Sequence, residues 1–249
     1  MPYRTDIAYL YDGSFEGLLC CVYESYYQKE LPSMIFDYGQ EQGTLFPIKE
    51  IVTDTDAAKK VQDSIVRKIS KEALRLVRLC YLSKMEDREL TILRFLRMGY
   101  KIGWPVTNML ADDTVRAITK SAQNVLGECH LYKGFLRFSE YGGALVATIE
   151  PKNFVLPLVS AHFCDRFPGE QLLIYDKSHH FAFVYQDGKR SLVAFEHLEL
   201  PEVGEEEEKY RALWKQFYKT IAIEGRVNPK LRMNNMPKRY WAHMTEFID

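Results

Sequence analysis

Apolar positions recur along this chain at two different periods, and the change from one to the other organises it. Between residues 54 and 127 the period is helical. Ala58, Val61, Ile65 and Ile69 form one stripe behind Asp54, whose carboxylate can cap the helix start. Ser70 interrupts it, and Ala73, Leu76, Val77 and Cys80 form the next stripe. Ser83-Lys84-Met85-Glu86 reads as a capping box opening a third helix that carries Leu90, Leu93 and Leu96. Gly103-Trp104-Pro105 ends that element, and Val115, Ile118, Ala122, Val125 and Leu126 predict a fourth. Stripes of this kind normally exist to be buried in a core. Ahead of this segment, Phe15, Leu18, Leu19 and Val22 predict a short helix over 14–27. It lies among extended segments and turns marked by Asp12-Gly13 and Tyr38-Gly39.

After residue 131 the period shortens. Phe135–Ser139 and Ala144–Glu150 flank Tyr141-Gly142-Gly143, which predicts a hairpin. Lys152–Phe167 reads as a helix with Val155, Val159 and Phe163 on one face. Leu172–Asp176, His180–Gln186 and Ser191–Phe195 read as three more strands, the last two joined by a tight turn at Asp187-Gly188. Beyond Pro201 and Gly204 a last helix places Tyr210, Leu213, Trp214, Phe217, Tyr218 and Ile221 inward. Glu205 to Glu208 sit at its positive end and have a local structural role there. The expected fold class is therefore α+β, a single domain over 1–249 with a helical subdomain over about 54–127 and a sheet-containing part over about 131–249. The sheet is expected to hold about five mostly antiparallel strands with the C-terminal helix packed on it.

Composition adds limits. Hydrophobic residues make up 47% of 249, enough to fill a core without metal or disulfide staples. The N-terminus lacks a basic region followed by an apolar stretch, and no apolar run is long enough to span a bilayer, so a cytoplasmic location with no membrane partner is expected. Five cysteines, at 20, 21, 80, 129 and 164, are odd in number and lack a CxxC, which predicts reduced thiols. Cys129-His130 and His162-x-Cys164 lack the loop spacing of metal sites, and no metal or cofactor is expected. Walker, GxGxxG, GxSxG and HExxH motifs are absent.

Net charge is −1 but unevenly spread. Arg211, Lys215 and Lys219 recur every four residues, a cationic strip on one helix. Beyond it, Arg226, Asn228, Lys230, Arg232, Lys238 and Arg239 stand beside Tyr240 and Trp241. Nucleic-acid sites need this pairing, cations for phosphates and ring faces for unpaired bases. A solvated basic face whose Trp241 belongs to the core is the alternative reading. A second candidate group is His162 and Arg166, one helical turn apart, with Asp176 and His130. An Arg–carboxylate pair orienting a histidine suits phosphate binding or acid–base work, and a structural ion pair beside a partly buried histidine is the more ordinary reading. His179-His180 reads as a turn.

Read together, several segments resemble a DNA-repair or DNA-metabolism family whose conserved domain has no assigned function. The resemblance runs through Tyr11-Asp12-Gly13-Ser14-Phe15-Glu16-Gly17-Leu18-Leu19, then Glu128, His130 and Gly134-Phe135-Leu136-Arg137-Phe138. It continues through Ala161-His162-Phe163, Arg166-Phe167 and Ile174-Tyr175-Asp176. It closes with Trp214, Ile223, Arg226, Asn228-Pro229-Lys230, Met236-Pro237, Arg239-Tyr240-Trp241 and Glu246. Leu173 stands where tryptophan is expected, and the Lys177–His180 turn lacks the expected arginine. The resemblance implies pairing with an uncharacterised radical SAM protein, and in other members fusion to a uracil-DNA glycosylase-like domain; with no such domain after Glu246, it implies a stand-alone member.

Three expectations follow. The first is a DNA-metabolism accessory that binds single-stranded or damaged DNA and works with the radical SAM partner. The second is an enzyme acting on a nucleic-acid base or phosphate through His130, His162, Arg166 and Asp176. The third is an interaction module recruiting the partner through the helical segment 54–127.

Overall fold

The computed structural model describes residues 3–39, 43–196, 198, 204–221 and 228–248. The chain divides into two compact units, residues 1–126 and 127–249.

In the first unit, the N-terminal extended segments build a three-stranded parallel sheet, which the sequence pattern leaves as separate pieces. Strands β1 (Ala8–Tyr11), β2 (Met34–Asp37) and β3 (Ile48–Glu50) lie in the order β2-β1-β3, with Ala8 opposite both Met34 and Ile48. Helix α1 (Phe15–Tyr27) follows β1, with Ser14 Oγ accepting from the Gly17 amide at 2.9 Å as its cap. Helices α2 (Thr55–Lys68), α3 (Lys71–Tyr81) and α4 (Arg88–Ile102) follow β3. Asp54 caps α2 and Ser70 caps α3. Val61, Ile65, Val77, Leu93 and Leu96 all point into the core, as their spacing predicts.

The capping box at Ser83–Glu86 does not form. Ser83 Oγ instead donates to the Cys80 carbonyl at 2.6 Å, closing the end of α3. Helix α4 starts later, after Asp87, whose φ of 52° interrupts any helix running in from Ser83. Gly103, at φ 80°, ends α4 as expected, and a short 3-10 turn spans Trp104–Asn108. Helix α5 runs over Asp113–Phe135, and the division between the two units falls within it.

The second unit holds β4 (Ser139–Tyr141), β5 (Ala144–Ile149), α6 (Leu156–Arg166), β6 (Gln171–Asp176), β7 (Phe181–Gln186) and β8 (Lys189–Ala194). The five strands lie in chain order, but the sheet is mixed rather than mostly antiparallel. β5 and β6 run parallel, because α6 between them carries the chain back to the starting end, which a hairpin cannot do. Gly142-Gly143 and Asp187-Gly188, all at positive φ, form the two tight turns. The α+β class holds.

Helix α7 (Glu205–Thr220) departs most from expectation. None of its residues is buried, and Tyr210, Leu213 and Phe217 each keep more than half their surface exposed, as does Ile221 at its C-cap. It rests on the edge of β4 through polar groups, with Arg211 donating to Ser139 Oγ and the Glu140 amide to Glu207. Its apolar stripe therefore lies outside the core. Helix α8 (Pro229–Asn235) and 3-10 turns at Lys238–His243 and Thr245–Phe247 complete the unit. Among the described residues, no helix is long and apolar enough to cross a membrane.

Candidate functional site

The parallel pair β5 and β6 brings two loops to one end of the second sheet, the carboxyl end where open sheets commonly hold ligands. The loop after β5 is pinned by Glu128, a buried carboxylate on α5. It accepts from the Lys152 amide at 3.0 Å, the Asn153 amide at 2.8 Å and Asn153 Nδ2 at 2.6 Å. Arg239 Nη2 completes the set at 3.0 Å. One buried charge thus joins α5, the β5 loop and the C-terminal tail. Tyr240 is buried next to this pair, its ring 4.9 Å from Tyr132 and 5.4 Å from Phe135.

After β6, Asp176 is fully buried and organises its own turn. Its carboxylate accepts from the Ser178 and His179 amides at 3.0 and 3.2 Å and meets His179 Nδ1 at 2.8 Å. The His179 ring lies 5.2 Å from Phe154, which in turn lies 5.3 Å from Phe181. Alongside, Glu150 pairs with Lys177 at 3.0 Å and stands 3.2 Å from His243 Nε2, a contact without hydrogen-bond alignment. The Lys177 hydrogen bond holds the Glu150 carboxyl below the usual range, against a smaller opposing effect of burial and with help from His243. A histidine oriented through Nδ1 by a buried carboxylate is the arrangement used to hold one tautomer. The sequence pattern marks His179 only as part of a turn. The spacing Asp176-x-x-His179 is the available signal, since three residues suffice for a tight turn to fold a side chain back onto its carboxylate.

The four residues expected to share a catalytic pocket are not joined. Among the described residues, no hydrogen bond or ion pair links any two of His130, His162, Arg166 and Asp176. His130 is exposed on α5. His162 is half-buried with its ring 5.1 Å from Phe163, and Arg166 is exposed, its guanidinium 5.7 Å from the Phe167 ring. The carboxylate they were expected to share is taken by His179. All five cysteines are free and buried, and among the described residues no three His, Cys, Asp or Glu side chains gather as a metal site.

The basic tail divides by partner. Arg239 is committed to Glu128, and Tyr240 is enclosed by rings. Trp241 stacks on Phe247 at 4.4 Å and donates Nε1 to the Met236 carbonyl at 3.0 Å. Asn228 caps α8 by accepting from the Leu231 amide. Arg232 and Lys238 lie over the Trp241 ring at 5.1 and 5.9 Å. Lys219, Lys230 and Lys238 are exposed and Lys215 half-buried, and among the described residues no carboxylate pairs with them. Arg226 lies outside the described residues. A further anchor, Glu246, holds the tail through Arg137 at 2.7 Å and Trp214 Nε1 at 3.1 Å.

The family comparison matches residues 86–246 to the model described as a domain of unknown function, DUF4130. The chain belongs to that DUF4130 family. The matched segment spans both carboxylate anchors, Glu128 and Glu246, and the whole second sheet. No curated protein and no solved structure matches the chain.

Proposed function

We propose that this protein is an accessory of DNA metabolism that binds single-stranded or damaged DNA and presents it to a partner enzyme, the radical SAM protein implied by the sequence resemblance. The observation that carries the reading is helix α7. It exposes Tyr210, Trp214 and Phe217 along one face, and Lys215 and Lys219 stand on the opposite side of the same helix. Rings and cations carried by one exposed helix supply stacking for bases and charge for phosphates. The aromatic part of the surface is thus α7 rather than Tyr240 and Trp241, whose rings are occupied.

Fluorescence anisotropy with labelled single- and double-stranded DNA over a salt series tests this. Removing one lysine–phosphate interaction should flatten the log–log salt slope by about 0.7 for single strands. A Lys215→Glu, Lys219→Glu, Lys230→Glu variant should bind weakly with an unchanged melting temperature. Parental affinity in that folded variant would remove the reading.

The third expectation, an interaction module, gains a different surface. The stripes of the segment 54–127 largely face the core, whereas Leu213, Phe217 and Ile221 stay exposed. Leu213→Asp with Phe217→Ser that loses co-purification with the partner, while DNA affinity persists, would favour recruitment through α7.

A further inference from the structure

Within the first unit, α1 and α2 pack side by side and leave a cavity of about 460 Å³, within the usual range for small-ligand sites. Its base is apolar, formed by the buried Val22 and Val61. Its walls are four tyrosines, Tyr23, Tyr26 and Tyr27 from α1 and Tyr100 from α4. Two lysines of α2, Lys60 and Lys68, complete the rim, and among the described residues no carboxylate lines it.

The rings are held in place. Tyr23 and Tyr27 stack on each other at 5.9 Å, and Tyr26 meets Tyr100 edge-on at 5.5 Å. The Arg97 guanidinium lies 4.7 Å from the Tyr26 ring, and the Tyr100 hydroxyl bonds Ser64. Burial pushes the Tyr26 phenol up to about 12, so its hydroxyl keeps its proton at neutral pH. Tyr27 is 70% exposed, leaving much of its ring open to a ligand.

Charge decides the class of ligand. A cage of aromatic rings alone suits a quaternary ammonium ion. Lys60 and Lys68 would repel one, and Lys68 Nζ already lies 5.9 Å from the Tyr100 ring. Flat π surfaces, protonated phenols and two ammonium groups together fit a planar heterocycle joined to an anion. We propose that this tyrosine-walled cavity binds an unpaired nucleotide of a single strand, its base against Tyr23 and Tyr27 and its phosphate between Lys60 and Lys68. The proposal rests on the nucleic-acid reading above and adds to α7 a second point of attachment on the other unit.

The test uses the full chain with a labelled oligothymidylate carrying 5-iodouracil at its end, and with thymidine monophosphate as the free counterpart. Tyr27→Ala should weaken strand binding by roughly 5- to 150-fold, the worth of one stacked base. Separately, Lys60→Ala with Lys68→Ala should weaken it and flatten the log–log salt slope by about 0.7, the worth of one phosphate contact on a single strand. Irradiation should crosslink the iodouracil to the α1 tyrosines. Both variants alter exposed side chains, and unchanged circular dichroism and melting temperature certify the fold. Strand binding that only the α7 lysine variant weakens, with no crosslink in α1, overturns this inference and leaves the function standing. If the parent binds no strand at low salt, the function reading falls. Ligand-observed NMR with thymidine monophosphate then decides: binding abolished by Tyr27→Ala keeps the cavity as a mononucleotide site, and no binding overturns it too.

Discussion

Glu128→Ala offers the sharpest test of how the second unit is held together. The substitution removes the acceptor for the Lys152 amide, the Asn153 amide and Asn153 Nδ2, and leaves Arg239 without its carboxylate. Losing the acceptor of a buried donor costs about 1–3 kcal/mol, and breaking a buried ion pair about 3–5 kcal/mol. These do not add here. The Arg239 side chain is 35% exposed, so water can replace part of what it loses. Asn153 is buried, so its two donors carry most of the penalty. The expected net loss is about 3–4 kcal/mol, a fall in melting temperature of roughly 6–16 °C for a chain of this size. Arg239→Ala should lose less, about 1–2 kcal/mol, because Glu128 keeps its three N–H donors. Thermal and urea denaturation followed by circular dichroism measure both. A Glu128→Ala variant within 1 kcal/mol of the parent, as a rough limit of ordinary surface effects, would show that the buried carboxylate does not hold the tail. The comparison also decides how Arg239 is used: if its loss lowers stability, weakened DNA binding in that variant says nothing about phosphate contact.

Two further perturbations read other parts of the fold. Gly17→Ala should destabilise by about 1–3 kcal/mol, where a helical glycine ordinarily gains about 1 kcal/mol on replacement by alanine; the added Cβ would stand 2.2 Å from Asp12 Oδ1 and 2.8 Å from Thr53 Oγ1. A more stable variant in urea unfolding would refute this close packing of α1 on the β1 turn. Glu246 is pushed up by burial, but the hydrogen bonds from Arg137 and Trp214 outweigh that and hold its carboxyl below the ordinary glutamate value of 4.5. Its folded pKa is the depressed one, so its stabilisation is present above about pH 4.5 and disappears as pH falls through the folded value. Glu246→Gln should therefore flatten the acid limb of stability below that pH, and superimposable acid limbs would contradict the assignment.

Most helices are legible in the sequence because helix formation is decided by neighbours three and four residues apart. The stripes over Ala58–Ile69, Ala73–Cys80 and Leu90–Leu96 match α2, α3 and α4, Asp54 caps where the pattern places its cap, and the Ser70 that interrupts the first stripe caps α3. The three-stranded parallel sheet is not legible, since each strand has only three or four residues and its partners lie far off in sequence. The same holds for the parallel join of β5 to β6. Periodicity gives a strand its faces, and only the path of α6 gives it a direction.

Side-chain partners are the least legible of all. Sequence determined that Arg239, Tyr240 and Trp241 sit among cations, but not that Glu128 claims the first, Tyr132 and Phe135 enclose the second and Phe247 covers the third. It determined that α7 has an apolar face, but not whether that face meets a core. Local pattern states what a side chain needs: burial, a counter-charge or a donor. Which group satisfies the need depends on residues brought close by the fold, as with Arg137 and Glu246, 109 positions apart. The tertiary structure alone decided that several expected binding groups are spent internally, while the tyrosines of α1 and the rings of α7 remain open.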